Sequence, residues 1–222
     1  MGIIIAVLII IVWASHLFYC LSSVRISPDN VFMYFHILLQ IYFYTGLFIT
    51  AHDSMHGNVS KNKRINLITG NLCTFLFAGL SYKKLLKNHW SHHLNSGTQS
   101  DPDYYSGSNN LFIWWAVFLK RYVTVMQIVI MASEFNILKI FFPELSVWIF
   151  LVMPAVLSTF QLFFFGTYLP HRQPHTHNML PHNSRTQSKN HIIAMLSCYF
   201  FGYHSEHHSL PKTPWWQLYK MK

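Results

Sequence analysis

The sequence reads HDSMH at residues 52–56, HWSHH at residues 89–93 and HSEHH at residues 204–208. On a helix, residues three and four apart lie on one face, so each string can direct two or three imidazoles toward one point. Neutral imidazole is a good ligand for iron, zinc, copper and nickel. These histidines are too many for one metal ion and suit two. The candidate ligands are His52, His56, His89, His92, His93, His204, His207 and His208.

The composition is that of an integral membrane protein. Hydrophobic residues make up 52% of the 222 residues and charged residues only 10%, whereas about 25% of residues are charged in a typical soluble domain. The formal net charge of +9 could suggest nucleic acid, but the basic residues flank apolar segments, where they anchor and orient a membrane protein. We therefore expect a single membrane-bound domain over residues 1–222 and no nucleic-acid partner.

The apolar segments predict an all-α integral membrane fold with about four transmembrane helices plus interfacial or re-entrant helices. The predicted spans are residues 3–21, 31–51, 122–142 and 145–169. The first segment lacks the basic residues and cleavage site of a signal peptide, so we interpret it as a retained span. We place residues 111–119 in the membrane interface, and residues 192–203 are too short to span.

The apolar stretch at residues 65–80 decides the topology. If it crossed the membrane, the first two histidine strings would lie on opposite sides and could not share metal ions. We therefore predict that this stretch is re-entrant or lies in the interface. All three strings then share one face, and of the 16 Lys and Arg residues only Arg25 and Lys139 fall on or near the other. That asymmetry predicts a cytoplasm-facing site.

Carboxylates are scarce, so we expect a site made mainly of histidine. Soluble di-iron bundles combine Glu with Glu-x-x-His motifs, whereas this chain has seven acidic residues and no such motif. Asp53 and Glu206 lie inside the strings, and we predict that they support catalysis by accepting the second N–H of a neighbouring histidine rather than by binding metal. Asp101 and Asp103 either do the same or shape a turn around Pro102.

His171 is predicted to be a ninth ligand because it closes the last span on the face that carries the strings. Other histidines and all cysteines are assigned to other roles. The cysteines are isolated, which argues against a disulfide framework or a thiolate zinc site and favours packing. The histidines of a proline-rich polar loop, without helical spacing, are predicted to be solvated: His175, His177 and His182. The histidines assigned to packing or to the interface are His16, His36 and His191.

These residues resemble the membrane-bound fatty acid desaturase/hydroxylase superfamily, whose members use a histidine-rich di-iron centre. Within it, the residues around the histidines are similar to those of bacterial and cyanobacterial beta-carotene ketolases. The similarity extends from the second span to the C-terminus. The strings that carry it are HDSMHG at 52–57, HWSHH at 89–93, DPD at 101–103, FGTYLPHR at 165–172, FGYHSEHH at 201–208 and PWWQL at 214–218.

The resemblance implies oxidation of the C4 methylene of a β-ionone ring to a ketone, which takes beta-carotene through echinenone to canthaxanthin. It also implies two iron ions (Fe), O2 as co-substrate, and ferredoxin or a similar electron donor. The carotenoid would reach the site from the lipid bilayer of a cell inner membrane or thylakoid. The type of ligand alone does not distinguish iron from zinc or copper as the bound metal.

Other functions remain as alternatives. A carotenoid hydroxylase, an acyl-lipid desaturase or an alkane hydroxylase of the same superfamily would share the metal chemistry and differ in the substrate channel. A membrane metal transporter would need liganding residues deep inside the spans that mark a path, whereas these spans are almost free of charge. A membrane zinc hydrolase is a further alternative that metal analysis would separate.

Overall fold

The computed structural model describes all residues, 1–222, as helices joined by loops, with no strand. The helices are α1 (Gly2–Ser23), α2 (Val31–Met55), α3 (Lys63–Ala78), α4 (Tyr82–Asn95), α5 (Leu111–Tyr122), α6 (Val125–Phe141), α7 (Glu144–His171), α8 (His191–Cys198) and α9 (His204–Ser209). Two 3₁₀ helices cover His177–Met179 and Trp215–Met221.

The outer surface of the long helices is apolar. Helices α1, α2 and α7 are long and apolar enough to cross a membrane, and the number rises to five if each of two bent helix pairs counts as one span. Ile4, Phe32 and Ile140 are 60%, 74% and 74% exposed. A soluble monomer rarely exposes such large contiguous apolar surfaces. The chain is therefore a membrane protein, as its composition predicts.

Helices α3 and α4 form a pair bent by 102°. Phe77, near the end of α3, packs edge-on against Tyr44 in the middle of α2, with ring centroids 6.2 Å apart. The chain then turns, and on α4 the Nε2 atom of His89 lies 2.6 Å from that of His56. Since α3 begins just after His56, the pair enters and leaves at the same end of the bundle. This geometry agrees with the predicted re-entrant segment.

Helices α5 and α6 form a second pair, bent by 92°. The break lies at Thr124, which is extended and whose side chain accepts a hydrogen bond from the backbone N–H of Gln127 at the start of α6. A transmembrane span over residues 122–142 was predicted. The observed helix begins three residues later because Thr124 caps a new helix, and with 17 residues it counts as a candidate span only together with α5. At the other end, Phe142 packs on Phe18 near the end of α1, away from the three histidine strings.

Helix α7 contains two π-helical segments, Trp148–Val152 and Phe164–Tyr168. Each segment is followed within two residues by a proline, Pro154 or Pro170. Proline has no N–H to donate to the carbonyl four residues earlier, and a locally widened helix absorbs the missing bond. The second widened segment lies directly before His171, so it sets the position from which that side chain enters the site.

The connection between α8 and α9 turns within the bundle. Tyr199 and Phe200 both have left-handed backbone conformations, with φ of 50° and 60°. The Tyr199 ring stacks on Tyr42 of α2 at 4.3 Å between centroids. Helix α8 is therefore a short segment that reaches α2 and does not span, and the turn returns the chain to the histidine end, where α9 begins.

Candidate metal centre

The nine predicted ligands lie together at one end of the bundle in two adjacent groups. Within each group, one ring nitrogen of every histidine lies within 4.8 Å of the others. The five-histidine group consists of His52, His56, His89, His93 and His207. The four-histidine group consists of His92, His171, His204 and His208. Two groups of this size have the number and kind of donors that two metal ions require.

Helical geometry divides the two H-x-x-H-H strings between the groups. Residues four apart share a helix face, and the third histidine of each string points to a different side. In α4 the pair His89 and His93 belongs to the five-histidine group. In α9 the pair His204 and His208 belongs to the four-histidine group. The third histidine of each string lies in the opposite group, so both helices contribute to both groups.

The ring nitrogens face each other at separations suited to a shared ion. His56 and His89 approach to 2.6 Å between Nε2 atoms. Four further Nε2 pairs lie 3.0–3.1 Å apart. Metal–nitrogen bonds of about 2.0–2.1 Å place neighbouring ligands at roughly 3 Å. The arrangement thus fits metal coordination.

The orientation of His171 supports the same fit. Its Nδ1–H donates to the backbone carbonyl of Asn183 at 3.0 Å, which leaves the lone pair on Nε2. That Nε2 atom is buried and has no hydrogen-bond partner. A buried nitrogen without a partner is costly unless a ligand fills the position. The ring therefore presents an unused donor to the four-histidine group.

His92 is held in place by Asp101. Its Nδ1 lies 2.9 and 3.0 Å from the two carboxylate oxygens, and this carboxylate also accepts the backbone N–H groups of Gly97 and Asp103. Burial acts to raise the pKa of Asp101, but the hydrogen bond and charge of His92 outweigh it, and the pKa lies below its ordinary value. Asp101 therefore both shapes the turn and orients a histidine.

Asp103 lies at the edge of this arrangement. Its carboxylate is 3.9 Å from Nδ1 of His92 and accepts the hydroxyl of Tyr122. Burial raises the pKa of Asp103 to about 6. Its contacts secure the loop against α5 while Asp101 takes the direct bond to the imidazole.

Burial keeps the histidines of α9 in the form that binds metal. It lowers the pKa of His204, His207 and His208 well below the ordinary value, and the surrounding imidazoles lower it further. A neutral imidazole keeps one nitrogen lone pair for coordination. The α9 histidines therefore do not need to lose a proton before binding an ion near neutral pH.

Asp53 and Glu206 do not make the contacts that the sequence predicted. Asp53 accepts the backbone N–H of Trp215 at 3.2 Å. Glu206 pairs with Nζ of Lys222 at 3.0 Å and accepts the hydroxyl of Thr186 at 2.6 Å. Neither carboxylate contacts a histidine. On a helix, a residue next to a ligand points about 100° away from it, so both acids connect the histidine helices to the surrounding chain.

The loop after α7 covers part of the site. His182 was predicted to be solvated, but it is only partly exposed, and its ring lies 5.3 Å from that of His208. His175 also departs from that prediction, because its Nε2 donates to the carbonyl of His171 at 2.9 Å. His177 is exposed, as predicted. The loop thus folds back over the site, and its backbone supplies the carbonyl of Asn183 to His171.

An apolar cavity extends from both histidine groups into the bundle. It is lined by 21 residues, 12 of them hydrophobic, and includes His52, His89, His92 and His204. Val123 lines the cavity and is itself 41% exposed, so the cavity reaches the apolar flank of the protein. An apolar molecule could therefore enter the cavity from the side of the bundle.

A second cluster joins α1 and α2 at a distance from the nine histidines. It consists of His16, Cys20 and His36, whose ring nitrogens and sulfur lie within 4.8 Å of one another; we call it the His16 cluster. From the sequence, His16 and His36 were assigned to packing or to the membrane interface and Cys20 to packing, and their proximity was missed. The available signal was the four-residue spacing of His16 with Cys20 on α1 and of His36 with Gln40 on α2.

Comparison with known proteins agrees with this architecture. The fatty acid desaturase family model matches residues 29–142 and 118–222. A zeaxanthin 4-ketolase of Chlamydomonas reinhardtii is 36% identical over an alignment that covers 100% of this chain and 53% of the relative. A beta-carotene 4-ketolase of Haematococcus lacustris is also 36% identical, over 80% of this chain and 58% of the relative.

A bacterial relative is closer to this chain in length. A beta-carotene ketolase of a Paracoccus species is 38% identical over 78% of this chain and 72% of the relative. The chain spans between half and three-fifths of the length of the two algal relatives. No solved structure matches the chain.

Proposed function

The chain belongs to the fatty acid desaturase family, and on that premise we propose that it is a membrane-bound di-iron carotenoid ketolase. Its reaction is the oxidation of the C4 methylene of a β-ionone ring to a ketone, with O2 and two electrons consumed in each of two hydroxylations. The doubly hydroxylated carbon loses water to give the ketone. Beta-carotene would pass through echinenone to canthaxanthin.

The observation that carries this proposal is the placement of nine imidazoles at the end of an apolar cavity. Iron suits a nitrogen-rich site and changes oxidation state, which an oxygenase requires. When bound, two iron ions would supply the activation of O2. The ligands would be the members of the five-histidine and four-histidine groups, with Asp101 as an orienting residue on His92.

The protein contributes position and protection. Asp101 and the carbonyl of Asn183 hold the Nδ1 protons of His92 and His171, so that both Nε2 atoms face inward. The hydrophobic wall of the cavity, including Phe163 and Leu162, would hold a long apolar substrate and exclude water from the ring carbon being oxidised. The exposed flank at Val123 supports entry from the bilayer.

The charge distribution supports a cytoplasmic orientation and an acidic electron donor. The loop that follows His56 and the start of α3 carry the exposed residues Lys61, Lys63 and Arg64. Basic residues favour the cytoplasmic side of a membrane. They would also attract ferredoxin or a similar small acidic carrier to the histidine end. The membrane would be a cell inner membrane or a thylakoid.

Expression in a host that accumulates beta-carotene tests the proposal, with pigments separated by HPLC. We expect echinenone and canthaxanthin from the wild type, loss of both in His92→Ala, and their retention in His177→Ala, a matched histidine variant at an exposed position. Unchanged pigments together with altered fatty acids would instead favour the desaturase alternative. Purified active protein that contains zinc and no iron would contradict the oxygenase chemistry.

A further inference from the structure

The His16 cluster brings together side chains from the first two long helices. Nε2 of His16 lies 3.0 Å from Nδ1 of His36, and Sγ of Cys20 lies 3.7 Å from both ring nitrogens of His16. Nδ1 of His16 also bonds the side-chain oxygen of Gln40. Cys20 and Gln40 are fully buried, at 0% exposure. Polar and thiol groups thus meet within an otherwise apolar helix pair.

This cluster is separate from the nine-histidine centre. His36 and His52 are both on α2, sixteen positions apart, which corresponds to about 24 Å along a helix. None of the nine histidines belongs to the cluster. Any ion bound here would therefore occupy a site of its own, toward the opposite end of the bundle.

The hydrogen bonds set the ring orientation that a ligand needs. Because the Gln40 oxygen accepts from Nδ1–H of His16, the lone pair of His16 is on Nε2, facing His36. The Gln40 Nε2 atom is buried and has no partner, so the bond to His16 is the amide's one side-chain contact. An acceptor on the outer nitrogen of a metal-binding histidine is the usual means of orienting it.

The separations fit coordination by two nitrogens and one sulfur. Metal–nitrogen bonds of about 2.0–2.1 Å and metal–sulfur bonds of about 2.3 Å place tetrahedral ligands roughly 3.3 to 3.6 Å apart. The observed separations of 3.0 Å between the two nitrogens and 3.7 Å between Sγ of Cys20 and Nε2 of His16 are close to those values. The third separation, between the Cys20 sulfur and the His36 ring, is within 4.8 Å, so the three side chains are close enough to share one ion.

We propose that Cys20, His16 and His36 bind one monovalent copper ion. Thiolate is a soft ligand that selects Cu(I), and imidazole also suits copper. One thiolate, two neutral imidazoles and Cu(I) carry no net charge, whereas Zn(II) would leave an uncompensated positive charge inside an apolar bundle. On binding, the copper ion replaces the thiol proton of Cys20, and one H⁺ is released for each copper ion bound.

X-ray absorption at the copper edge tests this site in the purified full-length protein loaded with Cu(I) under anaerobic conditions. We expect a copper–sulfur distance in the wild type and in Cys73→Ser, and its loss in Cys20→Ser. Cys73 is the matched control because it is equally buried, at 0% exposure, and lies outside the cluster. Copper held by the nine histidines gives nitrogen scattering only, so sulfur scattering shows a second site, and its loss in Cys20→Ser assigns that site to the His16 cluster.

The proposal fails if wild-type protein binds Cu(I) without a sulfur ligand, which would leave His16, His36 and Gln40 as a hydrogen-bonded chain. It also fails if Zn(II) but not Cu(I) takes up sulfur coordination, or if the sulfur signal persists in Cys20→Ser. Should Cys20→Ser not fold, a copper–sulfur distance retained in the Cys73→Ser/Cys198→Ser variant, in which Cys20 is the one remaining cysteine, supports the site, and its loss in that variant overturns it. Since no measurement here uses pigment conversion, failure of this site and failure of the ketolase assignment are distinguishable.

Discussion

The five-histidine and four-histidine groups differ in how their imidazoles are held from outside. In the four-histidine group, Asp101 orients His92 and the Asn183 carbonyl orients His171. In the five-histidine group, no imidazole hydrogen-bonds a carboxylate or a carbonyl; the ring nitrogens face other histidines. Two of the four ligands in the smaller group are therefore oriented by outer contacts, whereas Nδ1 of His204 and of His208 has no partner and the larger group has no such contact at all.

Removing a histidine from either group should have the largest effect. His207 lies 3.1 Å from both His52 and His93, and His204 lies 3.0 Å from His208, between Nε2 atoms. We expect His207→Ala and His204→Ala each to lower ketone formation by more than about 100-fold, beyond the effect of an outer partner. Each should lose about one of two metal ions, as measured by metal analysis of the purified variants.

The two variants should each remove the metal ion from a different group. His207→Ala should deplete the five-histidine group, and His204→Ala the four-histidine group. The exposed His177→Ala serves as the control and should keep both ions. Full pigment conversion by either of the first two variants would contradict the assignment of that residue as a ligand.

Asp101→Asn should lower metal affinity at the four-histidine group and leave the five-histidine group unaffected. The amide oxygen is a weaker acceptor than the carboxylate, so His92 loses a charged partner. We expect metal affinity at the four-histidine group to fall about 10- to 100-fold and affinity at the five-histidine group to stay unchanged. Competition with a chelator, followed ion by ion, measures this.

Asp53→Asn is the matched control for Asp101→Asn. Asp53 and Asp101 are equally buried, each 2% exposed. The Asp53 carboxylate, however, accepts the backbone N–H of Trp215 and contacts no imidazole. We expect no change in metal affinity. Equal loss in both variants would mean that buried charge in general, rather than the contact with His92, governs the site.

The helical spacing of the histidines made the centre predictable from sequence. Positions four apart on α4 and α9 share a face whatever their surroundings, and the apolar length of the preceding segments placed the strings at one end. The same rule, applied to Asp53 and Glu206, would have excluded them as partners of their neighbours. The prediction paired each acid with the histidine next to it in sequence, although adjacent residues on a helix point in different directions.

Contacts that depend on tertiary packing could not be predicted in this way. The bond between Asp101 and His92 depends on the loop that turns at Gly97, where φ is 69°. The His16 cluster requires the relative rotation of α1 and α2, which spacing within one helix leaves undetermined. For the same reason the partial burial of His182 was missed, because nothing in the loop composition specifies what it packs against.

Gly166→Ala should affect both groups alike. A Cβ at Gly166 would clash with a ring carbon of Phe201. That ring contacts His52 and His204, one from each group, at 5.0 and 5.3 Å between centroids. Overpacking of this kind destabilises by about 1–3 kcal/mol. Thermal unfolding should show a lower Tm and metal analysis a parallel loss from both groups.

A second substitution tests the cause of that loss. Phe201→Leu in the Gly166→Ala background removes the ring carbon that the new methyl group meets. We expect the double variant to recover part of the Tm. An unchanged Tm in Gly166→Ala would show that the bundle accommodates the methyl group and would contradict the expected overpacking.

Glu206→Gln should have the smallest effect on stability and metal binding. It tests whether the five-histidine group lacks outer support, which is its difference from the four-histidine group. It breaks an ion pair with Lys222 whose side chains are 16% and 17% exposed, so we expect a stability loss of up to about 1 kcal/mol. Metal affinity should not change, because Glu206 contacts no histidine although it precedes His207. If chelator competition instead showed weaker binding at the five-histidine group, that group would have an outer support after all, and its difference from the four-histidine group would disappear.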